Sequence, residues 1–274
     1  MGRIFISGDL HGNYQGELKY LIYKKNFKEE QELNKNDVVI QLGDSGILWY
    51  YKEYENGFKE DLKLAEKIAE RNYTMLIVPG NHENYDLIYE LPLIEKWAGK
   101  VYILETKKGP IYFAKRGEIY EINNKKIFTF SGAITSDIKG RLKYEDIGKK
   151  IYVNNKYGRR VLKKIKISHI NYWPQELPNE EEYKYALENL SKNNYKVDII
   201  CTHTCPKEII PEVIHLTDFY KTKYEDPVAE FLNKINELVY FKEWHFGHFH
   251  TNVKIEKEEI YMCHYMKNPY EIKL

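Results

Sequence analysis

Apolar residues come in short runs, and the spacing between runs changes along the chain. RIFIS, VVIQL and TMLIV in the first eighty residues have the compact, β-branched character of buried strands. Between and after them, ELKYLIYKK and segments near Phe58–Arg71 and Tyr85–Trp97 carry apolar residues at helical spacing. This is the rhythm of parallel βαβ units. The middle is richer in strands, with VYIL, PIYFA, EIYEI and KIFTFSG separated by the turn-like KKG, KRG and NNKK. A helix is predicted over Glu180–Ser191, then the strand VDIICTH, a helix over Pro227–Leu238, and closing strands in VYFKEWHFG, NVKIE and EIYMC. No internal repeat and no Gly-, Ser- or Pro-rich linker divides the 274 residues, so one domain spanning 1–274 with two sheets is the simplest account.

Composition narrows the partners. With 43% hydrophobic residues the chain can bury a large core, and a net charge of +1 gives it no long-range field toward a polyanion or a membrane. No run approaches the length of a membrane span, and the start lacks a secretory signal, so a cytoplasmic protein without membrane contact is expected. Cys201, Cys205 and Cys263 lack close CxxC spacing, which suits reduced thiols; a soft-metal clip in CTHTC is the other reading. Charge is uneven in one place. From Lys139 to Lys166 there are eleven Lys or Arg against two acidic residues, a basic insertion that is either a solvated surface or a grip for nucleic acid.

The candidate chemistry lies at the ends of the apolar runs. RIFIS leads into GDLHG, VVIQL into GDSG, TMLIV into P-GNHE, VDIIC into THTCP, and VYFKEWH into FGHFHT. These ends deliver Asp9, His11, Asp44, Asn81, His82, His203, His248 and His250. Ligands of open α/β sheets gather outside the carboxyl ends of the strands, so segments far apart in sequence can share one crevice. Carboxylate, imidazole and amide oxygen together suit borderline divalent ions such as Mn²⁺, Fe²⁺, Zn²⁺ or Ni²⁺. Asp9 and His11, like His248 and His250, are two residues apart, which in extended backbone points both side chains the same way. His169, His215, His245 and His264 fall outside these blocks and are read as ordinary surface or core histidines.

The ordered blocks GDxHG, GDxx, GNHE, a His after an apolar strand, and GHxH resemble the calcineurin-like metallophosphoesterases. NYWPQELP and SGAITSDIKGRL are similar to segments of small bacterial and phage members of that superfamily. The resemblance implies an α/β fold, two mixed β-sheets packed as a sandwich and flanked by helices. It implies one divalent ion held by Asp9, His11, Asp44 and His250, and another by Asp44, Asn81, His203 and His248, with Asp44 bridging. Mn²⁺ is favoured, with Fe, Zn or Ni as alternatives. The implied reaction is hydrolysis of a phosphate ester by a metal-bridging hydroxide, with His82 as general acid; a His82 that merely caps the helix near Tyr85 is the structural alternative.

The chain departs from the phosphoprotein phosphatases of the superfamily, whose GDxxDR block supplies an Asp and an Arg; here the block reads GDSGILW. Glu83 and Asp86 are the nearby candidates for orienting His82. Arg141 is a candidate phosphate contact, its planar fork suiting phosphate oxygens, with a plain surface role as the alternative. Trp49, Tyr50, Tyr51 and Tyr54 offer stacking faces or simple packing, and Trp173 and Pro174 are expected to shape a rim over the site. A phosphodiester or nucleotide substrate is therefore favoured over a phosphoprotein. A phosphomonoesterase and a metal-bound scaffold without catalysis stay open.

Overall fold

The computed structural model describes residues 2–12, 19–23, 25–135, 141–154, 158–215, 225–265 and 267–273. In the first sheet β1 (Ile4–Ser7), β2 (Val38–Gln41) and β3 (Thr74–Ile77) run parallel, with Ile4, Val38 and Thr74 in register. Leu93–Lys96 (β4), Gly99–Thr106 (β5) and Gly109–Ala114 (β6) form an antiparallel meander, and β6 joins β3 in parallel. The second sheet contains β7 (Ile119–Ile122), β8 (Lys125–Phe130), β11 (Ile199–Thr202), β12 (Glu243–Phe246), β13 (Val253–Glu256) and β14 (Ile260–Cys263). Its order is β13-β14-β12-β11-β8-β7, with β8, β11, β12 and β14 parallel. Tyr270–Glu271 (β15) closes the free edge of the first sheet beside β1.

Alternation of side chains decides the layering. Ile4, Ile6, Val38, Ile40 and Leu76 point inward and meet Ile127, Ile199 and Cys201 of the other sheet. Their neighbours Phe5, Val39, Met75 and Ile77 point outward onto Leu64, Ala65 and Ile68 of α2 (Glu55–Ala69), which lies beside the short α1 (Lys19–Ile22). On the far side Phe128, Phe130, Ile200 and Trp244 pack against α4 (Glu180–Lys192), α5 (Ile210–His215) and α6 (Pro227–Leu238). The result is a helix–sheet–sheet–helix stack. Each buried Val, Leu, Ile or Phe contributes about 1.5–3 kcal/mol, so the continuous inter-sheet layer is the main force fixing the strand ends. Capping is local: Asn179 and Glu182 close a capping box on α4, and Asp226 accepts from Val228 N at 2.9 Å at the start of α6.

The helix expected over Tyr85–Trp97 is α3, which covers only Tyr85–Glu90. Pro92 ends it by disfavouring helical backbone at Leu91 and lacking an N–H, and β4 begins at once. The basic insertion contains a separate hairpin, β9 (Lys150–Asn154) and β10 (Arg160–Lys164). Lys139 and Lys156 of that segment lie outside the described residues. Its apolar residues Leu142, Ile151 and Ile165, with Ile170 just beyond it, pack on Trp49, Tyr51 and Trp173, while Arg160, Lys163 and Lys164 face solvent. Cys201, Cys205 and Cys263 are buried free thiols. No described helix is long and apolar enough to cross a membrane.

Candidate metal centre

The five loops converge. β1 delivers Asp9 and His11, β2 Asp44, β3 Asn81 and His82, β11 His203, and β12 His248 and His250, all at the carboxyl ends of strands that face one another across the two sheets. The backbone there is not extended, contrary to the reading of the two-residue spacings. Asp9, His11, Asp44, His248 and His250 all have positive φ, from 44° to 69°. The loops after β1, β2 and β12 turn left-handed at these donors, and that turn, not strand alternation, brings both members of the Asp9–His11 and His248–His250 pairs inward. Two glycines make room. A Cβ on Gly43 would sit 2.3 Å from His203 Nδ1, and one on Gly80 would sit 2.3 Å from Asp44 Oδ1.

One donor from each of Asp9, His11, Asp44 and His250 falls within 4.8 Å of the others. His11 Nε2 and His250 Nε2 are 3.1 Å apart. On the inner side Asn81 Oδ1 is 2.9 Å from His203 Nε2 and 3.1 Å from His248 Nδ1, and Asp44 Oδ1 is 3.5 Å from His203 Nε2. His203 Nδ1 faces the Leu42 carbonyl at 2.7 Å, so in a neutral ring Nδ1 carries the proton and Nε2 presents a lone pair. In that state the lone pair meets two oxygen acceptors, an arrangement that a cation between them would relieve. Their separations match the edges between neighbouring ligands, about 3.0 to 3.4 Å, when bonds are about 2.1 Å long.

Asp9 makes the same point. Both its carboxylate oxygens are buried with no hydrogen bond of ordinary geometry among the described residues, although the nearby His248 backbone slightly favours the charged form. Burial, with Asp44 beside it, holds the Asp9 carboxyl well above the usual range. Asp44 goes the other way: burial opposes its charge, but His203, His82 and His11 together pull it below the usual range. Burial lowers His11 and His248, and brings His250 down to about 4, which favours the neutral rings that coordinate metals near pH 7.

Comparison with known proteins agrees with this donor set. The family model described as calcineurin-like phosphoesterase matches residues 2–252. The chain belongs to the calcineurin-like phosphoesterases. It is thus a metal-dependent phosphoric ester hydrolase. A crystal structure of phosphopantetheinyl hydrolase from Mycobacterium tuberculosis is similar at 12% identity and a TM-score of 0.45, over 99% of this chain and 95% of that one. No curated protein matches.

In this phosphoesterase His82 stands beside the donors. Its N–H donates to Asp44 Oδ1 at 2.9 Å, and its ring stacks on Trp49 at 5.5 Å and 24°. The helix cap belongs to Asn84, whose side chain accepts from Leu87 N, so His82 is not spent on that role. Neither expected partner orients its ring. Asp86 accepts from Tyr51 OH and Gln175 Nε2, and Glu83 is turned away from it, accepting from the N–H groups of Gly80, Asp44 and Ser45 and from Ser45 Oγ. Glu83 therefore ties the second and third loops together, a role its place in GNHE does not disclose. Trp173 is fully buried, not on a rim; it lies edge-on to Trp49 and donates to Tyr51 OH at 3.0 Å.

Arg141 lies next to the inner donors. It donates to the Thr135 carbonyl, rests over Tyr172 at 4.7 Å and is 3.8 Å from Glu176. Sequence reasoning missed Thr135 and Glu176. Thr135 Oγ1 accepts from Asn81 Nδ2 at 3.0 Å, and both its N–H and its hydroxyl donate to the buried Glu176 carboxylate.

Proposed function

We propose that this phosphoesterase cleaves a phosphodiester or nucleotide ester, with Mn²⁺ as the first choice for two divalent ions. The outer ion would be held by Asp9, His11, Asp44 and His250, and the inner by Asp44, Asn81, His203 and His248. The observation that carries the reading is the facing of potential metal-ligand atoms: His203 Nε2 against Asn81 Oδ1 and Asp44 Oδ1, beside an Asp9 carboxylate whose buried oxygens have no hydrogen bond of ordinary geometry among the described residues. When bound, such a pair of ions offsets phosphoryl charge and makes water acidic enough to yield a nucleophile at neutral pH.

His82 supplies the proton to the leaving oxygen. Its Nδ1 is buried without a hydrogen-bond partner among the described residues, which leaves Nε2 as the nitrogen that meets substrate, and the Trp49 face limits its rotation. The tie from His82 N–H to Asp44 keeps the acid in register with the donor that serves both ions. The preference for a diester within a polyanion rests on the basic insertion, where Lys143 joins Arg141 over Tyr172 and Arg160, Lys163 and Lys164 of the hairpin are exposed. Residues 1–274 act in this reading as a single catalytic domain with the basic insertion as its outgrowth.

The test is turnover of bis-aryl against mono-aryl phosphate after stringent chelation and after return of Mn²⁺. Activity that survives chelation sinks the metal reading. Faster monoester than diester turnover sinks the substrate preference. Oligonucleotide binding that weakens steeply with salt supports the nucleic-acid partner, since each neutralised phosphate adds about 0.9 to the logarithmic salt slope for a duplex and about 0.7 for a single strand.

A further inference from the structure

Asn81 presents a question of direction, because a carboxamide reversed end for end would offer an NH₂ group to a cation. The two histidines beside it do not settle the choice: His248 can accept or donate according to its tautomer, and a lone pair on His203 Nε2 would draw either the NH₂ group or a cation shared with the carbonyl oxygen. The choice is made on the other side of the amide. Glu176 is fully buried and, when ionised, can only accept. Thr135 must therefore spend its hydroxyl proton on Glu176, which leaves the Thr135 oxygen able only to accept, and only the NH₂ end of Asn81 can satisfy it. Thr135 N–H, 2.8 Å from the other carboxylate oxygen, keeps Glu176 from turning away.

We propose that Thr135 and Glu176 are positioning residues that fix the carbonyl oxygen of Asn81 toward His203 and His248, and so set the affinity of the inner metal position without touching it. This rests on the two-ion reading above. The groups facing Glu176 are Thr135, the Arg141 guanidinium at 3.8 Å and the ring of His82. Burial pushes Glu176 up to about 7 against the opposing pull of Thr135, Arg141 and His82. A protonated Glu176 would donate to Thr135 and reverse the chain, so the test belongs at pH 8.

The experiment counts Mn²⁺ bound to the full chain by electron paramagnetic resonance and calorimetry in wild type and in Thr135→Val, Thr135→Ser and Glu176→Gln. Wild type is expected to take two ions. Thr135→Val keeps shape and loses the hydroxyl, so one ion should bind as before and the other about 10–100-fold more weakly, the usual effect of removing a partner behind a ligand. Thr135→Ser restores the hydroxyl and should restore both ions. Glu176→Gln should weaken the same single ion, because an amide that accepts from Thr135 N–H donates to its hydroxyl and turns Asn81 around. Unchanged binding of both ions in Thr135→Val overturns the proposal, as does Thr135→Ser behaving like Thr135→Val. A wild type that binds no Mn²⁺ overturns the two-ion reading itself and the proposal with it.

Discussion

Asn81, His203 and His248 are buried, at 2%, 0% and 9% exposure, whereas His250 is exposed and His11 lies partly open to solvent. Two of the inner three are held by protein partners outside the donor set, Asn81 by Thr135 and His203 by the Leu42 carbonyl, while His248 is held by Asn81. The outer donors are held less. Among the described residues both oxygens of Asp9 lack a hydrogen bond of ordinary geometry, the Nε2 atoms of His11 and His250 face each other at 3.1 Å, and the His250 ring stacks on Tyr265 at 4.7 Å. The same donor chemistry is thus preorganised on one side and left for an ion to complete on the other. The outer ion should exchange with solvent and the inner one should persist.

Asp44 belongs to both halves, so Asp44→Asn should erase the difference between them. Loss of several kcal/mol of charge stabilisation at both positions corresponds to a fall in kcat/KM of about 10⁴-fold, with neither ion retained on gel filtration. His82→Ala should leave both halves filled and still lower kcat by about 10²-fold or more, with the deficit shrinking for aryl esters whose leaving group needs no proton. An equal deficit for good and poor leaving groups would remove the general acid. Graded chelation should release the ions in two phases, the outer at a chelator concentration about 10-fold lower, in keeping with the usual effect of partners behind a ligand. Release in a single phase would mean that the hydrogen bonds behind Asn81 and His203 do not favour the inner half.

The smallest effect is expected at Asp61, which accepts from Trp49 N at 2.8 Å and Tyr50 N at 2.7 Å beneath the loop that carries the His82 stacking partner. Burial pushes its carboxyl up to about 7. Because the folded value lies above the ordinary one, the stability it contributes is complete below the ordinary carboxylate range and is lost as pH rises through about 7. Asp61→Asn keeps an acceptor for both N–H groups and cannot ionise. Wild-type Tm should therefore drop relative to the variant between about pH 4 and about pH 7. Parallel Tm curves would rule this out.

Much of the site could be read from the sequence because glycine, carboxylate and histidine recur at the ends of apolar runs, and strand ends are where a layered α/β fold brings distant segments together. What escaped was geometry that has no period. The two-residue spacing of Asp9 and His11 is the same for extended and left-handed backbone. The hairpin at 150–164 hides its alternation among lysines and arginines, and Pro92 was outweighed by the apolar spacing around it. Glu176 and Thr135 are 41 residues apart and meet only through tertiary packing. Nothing in WPQEL marks its glutamate as the acceptor that decides how an amide is turned.

The left-handed turns at the donors limit what natural variation can do here. Backbone in that region costs an L-residue roughly 1–2 kcal/mol unless a short polar side chain relieves it, and asparagine, aspartate and histidine are the types that tolerate it best. Drift at Asp9, His11, Asp44, His248 and His250 is thus filtered twice, by what the donors bind and by what the chain path admits. Valine or isoleucine should be absent from these five places in any folded descendant, even one that has abandoned hydrolysis.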